Sequence, residues 1–156
     1  MLGSLGGVKR KSLRIVLVTL LVISAAFAAW AWLRPYQWGA DGEARCRVVG
    51  CQVRRDVSNH WLDIHLKVLP GQKHDLELPV RLLTAAGRSI EPAQTTLSDD
   101  QHKVIRELWF KFWMEQDDFS GPLDLSINGG RLSIRTGRGE PQLGMADGRY
   151  FITNHW

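Results

Sequence analysis

From His60 to Leu69 apolar and other residues alternate along the chain. Leu62, Ile64, Leu66 and Val68 fall on one side, and Trp61, Asp63, His65 and Lys67 on the other. A period of two is that of a strand with one dry face. A turn at Leu69–Lys73, with Pro70-Gly71 inside it, separates this segment from a second alternation. There Leu76, Leu78, Val80 and Leu82 point one way, and Asp75, Glu77, Pro79 and Arg81 the other. A proline in a strand belongs at a sheet edge, where no ladder donor is lost. Further on, Leu123, Leu125 and Ile127 alternate with Asp124 and Ser126, and Leu132 and Ile134 return after Asn128-Gly129-Gly130. Such a turn supplies the positive φ that a β-hairpin needs.

Residues 98–118 carry two periods at once. Ser98 with Gln101 reads as a helix start, and Val104, Ile105, Leu108, Trp109, Phe112 and Trp113 would form a helical stripe. That stripe leaves Phe110 and Met114 on the polar side. As a strand, Leu108, Phe110, Phe112 and Met114 face one way and Trp109, Lys111 and Trp113 the other, and the aromatic density suits a pleated surface. The strand reading, after a polar turn at 97–102, is favoured. About seven strands follow, at 44–55, 59–69, 74–84, 88–95, 104–115, 121–128 and 131–136. Turns recur at the spacing of an all-β sandwich, and the expected fold is an immunoglobulin-like β-sandwich over 44–136 with an irregular tail at 137–156.

Neither period occurs near the start. Ile15 to Leu33 is a run of 19 residues without a charge. As a helix it would reach about 28 Å, the thickness of a bilayer's hydrocarbon core. It predicts a transmembrane helix at 15–34, after a basic leader at 1–14 and before a linker at 35–43. Lys9, Arg10, Lys11 and Arg14 precede the run and only Arg34 follows it closely. The positive-inside rule then puts the N-terminus in the cytoplasm and the C-terminal domain outside it, as in single-pass proteins of a bacterial inner membrane, with a periplasmic domain. Trp30, Trp32, Tyr36 and Trp38 stand where rings settle at headgroup level. A cleaved signal peptide is the rival, with small residues at Ala26-Phe27-Ala28 and Ala29-Trp30-Ala31. The apolar run continues past both sites, which favours a retained anchor.

The net charge of +4 belongs to the membrane end. Residues 36–156 hold 15 Lys and Arg against 16 Asp and Glu, so nucleic acid is not an expected partner. Cys46 and Cys51 read either as a small-ring disulfide, closed by a turn at Gly50, or as two packed thiols.

Catalytic patterns are missing from the sequence: it has no nucleophile elbow, zinc motif or phosphate loop. Asp63 and His65 share a strand face and could pair, with no nucleophile apparent beside them. Asp99-Asp100 and Glu115, Asp117 and Asp118 lie in predicted turns without the spacing of a calcium loop. The conspicuous surplus is aromatic. Trp61, Trp109 and Trp113 lie opposite the aliphatic faces of their strands, and Tyr150, Phe151 and Trp156 cluster at the end. These six are the candidate partner contacts. The expectation is a membrane-anchored interaction module, an accessory subunit docking on a protein partner in a larger envelope complex. It is not expected to be an enzyme and needs no cofactor. The alternative is a ligand-binding or sensing domain for glycans or Ca²⁺.

Overall fold

The computed structural model describes residues 5–33, 41–143 and 147–156. The chain divides into two compact units, Met1–Arg34 and Pro35–Trp156.

The first unit is one helix, α1 (Leu5–Leu33), beginning within the basic leader. Ser12–Trp32 has a mean hydropathy of 2.3, long and apolar enough to span a membrane. The apolar side chains from Leu13 to Trp32 are exposed around the helix. The Thr19 hydroxyl donates to the Ile15 carbonyl at 2.9 Å, returning a polar group to the helix's own backbone.

The second unit is built from antiparallel strands: β1 (Cys46–Asp56), β2 (Asn59–Val68), β3 (Arg81–Thr84), β4 (Ser89–Ile90), β5 (Gln94–Asp99), β6 (Ile105–Met114), β7 (Leu123–Ile127), β8 (Gly130–Arg135) and β9 (Gly148–Phe151). They form a five-stranded sheet ordered β5-β6-β2-β1-β9 and a four-stranded sheet ordered β4-β3-β7-β8. Residues from both sheets make one buried cluster. Leu62, Ile64, Leu66, Leu108, Phe110, Phe112 and Met114 come from the first, and Leu82, Leu123, Leu125, Ile127, Leu132 and Ile134 from the second.

The ambiguous segment is therefore a strand, β6, held between β5 and β2. Other expectations change. The strand expected over 74–84 survives only as β3, and Leu76 and Leu78 are exposed. Pro79 cannot donate to a ladder, and side chains take over the backbone: Asn128 Oδ1 accepts from Asp75 N at 2.9 Å, and Asp75 Oδ1 from Glu77 N at 2.9 Å. The expected strand at 88–95 is divided at Pro92. β4 stays in the four-stranded sheet, while β5 joins the five-stranded one and runs on through Ser98 and Asp99, where a turn was expected. The tail contributes β9, so the described residues form nine strands rather than seven.

Cys46 and Cys51 are not bridged. β1 is extended across both, and extended chain over that interval holds their Cα atoms much too far apart for a disulfide. Both are nevertheless buried, although an odd spacing should place them on opposite faces. A bulge resolves this: Val48 pairs with Leu66 and Gly50 with His65, leaving Val49 extra and resetting the alternation. Gly50 is needed here for a different reason from the turn expected of it. A Cβ on it would strike the Tyr150 ring and hydroxyl and come within 2.9 Å of the Phe151 carbonyl oxygen.

The β7–β8 turn has Asn128 and Gly129 at φ 55° and 87°. Asn128 does more than turn the chain. It is buried, donates to the Ala44 carbonyl at 2.6 Å and accepts from His74 Nδ1 at 2.8 Å, tying the hairpin to both neighbouring loops.

Two substitutions test this frame. Gly50→Ala should lose about 1–3 kcal/mol of stability by overpacking against Tyr150, read from urea unfolding of the full chain in detergent. Adding Tyr150→Ala should make the two effects non-additive. Asn128→Gly keeps the turn but removes its side-chain bonds. It should cost about 2–4 kcal/mol and raise hydrogen exchange at residues 70–80.

Candidate functional site

The pleat that buries Leu62, Ile64 and Leu66 turns Trp61, Asp63, His65 and Lys67 outward, and β6 does the same with Glu107, Trp109, Lys111 and Trp113. Register brings these residues opposite one another: Trp61 to Trp113, Asp63 to Lys111, His65 to Trp109 and Lys67 to Glu107. On one flank β1 adds Gln52 and Arg54, and β9 places Tyr150 opposite Gln52. On the other, β5 adds Gln94, Thr96 and Ser98.

The rings are ordered by contacts on the face itself. Trp61 and Trp113 meet edge to face, with centroids 4.6 Å apart at 64°. His65 stacks on Trp109 at 4.6 Å and 9°. Lys111 Nζ lies 5.0 Å from the Trp61 centroid, a cation–π distance. Trp61 Nε1 donates to Asp56 Oδ2 at 3.1 Å. Arg54 pairs with Asp63 at 3.0 Å, and Glu107 Oε2 lies 3.1 Å from His65 Nε2. Asp63 and His65, the expected pair, thus take different partners. The three tryptophans are half-buried by neighbours on the same face, and Tyr150 is exposed. Opposite charges alternate between the rings, so the face is aromatic without being charged in one sense.

At one end of this face, Val57 occupies the β1–β2 turn, 91% exposed and at φ 57°. A β-branched residue is strained there. Its neighbour Asp56 is the acceptor of the Trp61 indole, so this apolar tip adjoins the Trp61–Trp113 pair. Sequence patterning missed Val57, because a left-handed valine carries no periodic signal.

Two of the six expected contacts belong elsewhere. Phe151 is buried and stacks on Trp156 with centroids 4.6 Å apart at 11°, and Trp156 packs against the core. Arg135, also buried, sits beside them. It donates to the carbonyls of Trp156, Phe119 and Gly139 at 2.6, 3.2 and 2.5 Å, and its guanidinium carbon lies 5.0 Å from the Trp156 ring centroid. Burial pulls its pKa below the ordinary value. Of the expected membrane-interface residues, Trp30 and Trp32 are exposed on α1, and Tyr36 and Trp38 lie outside the described residues.

Among the described residues no three His, Cys, Asp or Glu side chains gather as a metal site. The acidic turns serve the fold instead. Asp100 accepts from the backbone of His102 and Val104 and from Arg106, and Asp118 from Glu115 N and Arg88. The Cys46 thiol is pushed up to about 11, chiefly by burial, so it is a poor nucleophile at neutral pH.

One titratable group stands out within the core. His60 is 1% exposed, with its ring edge-on to Phe119 at 5.2 Å. Nε2 lies 3.3 Å from Glu140 Oε1, inside ion-pair range, but neither ring nitrogen has a hydrogen-bond partner among the described residues. Glu140 is already engaged by Arg55 at 2.7 Å and Gln116 at 3.2 Å. Burial lowers the His60 pKa, and Glu140 opposes this only in part. The folded chain therefore binds fewer protons at His60 than the unfolded chain does. Stability is complete above about pH 6.5 and falls as pH drops below it, by at most about 1.4 kcal/mol per pH unit. His60→Phe should flatten that part of a stability–pH curve measured by thermal unfolding; an unchanged slope would remove His60 as its source. Comparison with protein families, curated proteins and solved structures finds no match for this chain.

Proposed function

We propose that this protein is a membrane-anchored interaction module. In this reading α1 stays in a bacterial inner membrane with the N-terminus in the cytoplasm. The strand-built unit stands on the periplasmic side as an accessory or structural subunit of a larger envelope complex. The bias of Lys9, Arg10, Lys11 and Arg14 toward the start of the helix supports the orientation.

The strand order supports an immunoglobulin-like β-sandwich. Taking β1, β2, β6 and β5 as strands A, B, E and D, and β3, β7 and β8 as C, F and G, both sheets have the neighbours of that fold. β4 then stands at the C′ position, and β9 is an addition beside A. Such a scaffold hosts many functions, so binding has to come from the site it carries.

The observation that carries it is the outward face of β2 and β6. Trp61, Trp109, Trp113 and His65 are held there by one another and by paired charges, an ordered aromatic surface only half covered from within. Tryptophan fixed in this way loses little side-chain freedom on binding, and tryptophan and tyrosine dominate the energetics of protein interfaces. Tyr150 and the Val57 tip extend this surface, giving a protein partner apolar anchors within a polar rim.

The full chain, extracted in mild detergent from its own membranes, should migrate at a native mass above that of the chain with its detergent. Trp109→Ala should weaken the association by about 2 kcal/mol or more while far-ultraviolet circular dichroism is unchanged. Only a monodisperse monomer, with the wild-type chain and the variant alike, would refute the reading. Truncating the tail is not a clean control, since β9 and Trp156 belong to the fold.

A further inference from the structure

The loops at the other end of the domain from Val57 form a separate surface. The chain enters this end at Asp41, whose N–H donates to the Arg131 carbonyl at 3.3 Å. The loop after β2 starts there too: Leu69 N donates to the Arg45 carbonyl at 2.9 Å, and Asp75 and His74 bond to Asn128, itself bonded to Ala44. That loop exposes Leu76 at 68% and Leu78 at 41%. Beside its start, Lys73, His74, Lys103, Val104 and Ile105 line an open recess of about 180 Å³. Neither Lys73 nor Lys103 forms an ion pair among the described residues. His74 Nδ1 donates to Asn128, which fixes the ring at the recess wall.

We infer that this end of the domain docks on the bilayer surface, with Leu76 and Leu78 entering the interface and an anionic lipid headgroup in the recess of Lys73, His74 and Lys103. The inference rests on α1 being a retained membrane span. Two observations select lipid as the occupant. Only residues 34–40 separate Leu33 from Asp41, a chain reaching at most about 30 Å. The end holding Asp41 is therefore limited to within about 30 Å of the end of α1, whereas β1 and β2 set Val57 roughly 30 Å from that end of the domain. Secondly, exposed leucines beside unpaired lysines are the combination that binds an anionic interface, by apolar insertion and by charge. Asp75 and Asp100, the carboxylates nearest in sequence to the two lysines, are held by backbone N–H groups, and Asp100 also by Arg106, while Glu77 stands exposed between the two leucines.

The test uses the full chain in vesicles of phosphatidylcholine, with or without phosphatidylglycerol. A polarity-sensitive fluorophore is attached at Leu76→Cys, and in a second variant at Leu78→Cys. The buried native thiols leave the new one as the reactive site. A nitroxide on the lipid headgroup is the quencher, and Val57→Cys is the distal reference. Quenching at 76 and 78 should exceed that at 57 several-fold and rise with phosphatidylglycerol. Lys73→Glu with Lys103→Glu should remove that rise, each lysine contributing roughly fivefold to partitioning. Equal quenching at 76, 78 and 57 in a chain that floats with the vesicles overturns the docking and leaves the anchor standing. A chain that does not float with them overturns the anchor, and the docking with it.

Discussion

The pleat of the paired strands β2 and β6 is the constraint on which the rest depends. Their inward residues, from Leu62 to Leu66 and from Leu108 to Met114, are fully or nearly fully buried, and the antiparallel register locks the two rows together. A slip of one residue would carry every leucine and phenylalanine into water. Burial of one row therefore dictates the other. The tryptophans, His65 and the charges between them are outward because the core leaves them no alternative. The candidate interaction face is in this sense a by-product of the core, and contacts among its own side chains then order it.

Where the alternation breaks, the fold acquires its less regular features. The bulge at Val49 turns Cys51 inward and brings Gly50 under Tyr150. In β8, Leu123 pairs with Arg135 and Asp124 with Ser133, leaving Ile134 extra, so Arg135 joins the core side. A buried guanidinium is tolerable only if its donors are satisfied. The carbonyls of Phe119, Gly139 and Trp156 do that, while the Phe119 and Trp156 rings approach it. The last residues then return from β9 to the edge of β8, where Thr136 N donates to the Asn154 carbonyl at 2.8 Å. The tail thus links the edges of the two sheets.

Tethering changes what such a surface must achieve. On the proposed reading, partner and module are confined to one membrane, so the effective concentration is high and a modest contact area suffices. That suits a face whose rings are half-buried and whose charges largely cancel.

Much was determined by the chain itself. The uncharged run of α1, the alternation in β2, β6 and β7 and the Asn128-Gly129 turn are local patterns, and they specify a helix long and apolar enough to span a membrane, the central strands and the outward tryptophans without reference to anything distant. What tertiary structure decided lies where long-range contacts override local pattern. Leu76 and Leu78 alternate like strand residues, but Pro79 and the bonds at Asp75 deny them a ladder. Phe151 and Trp156 look like surface aromatics until Arg135 and each other are brought beside them. Bulges decided the sides of Cys51 and Arg135, because an inserted residue shifts the period by one and leaves no mark in composition.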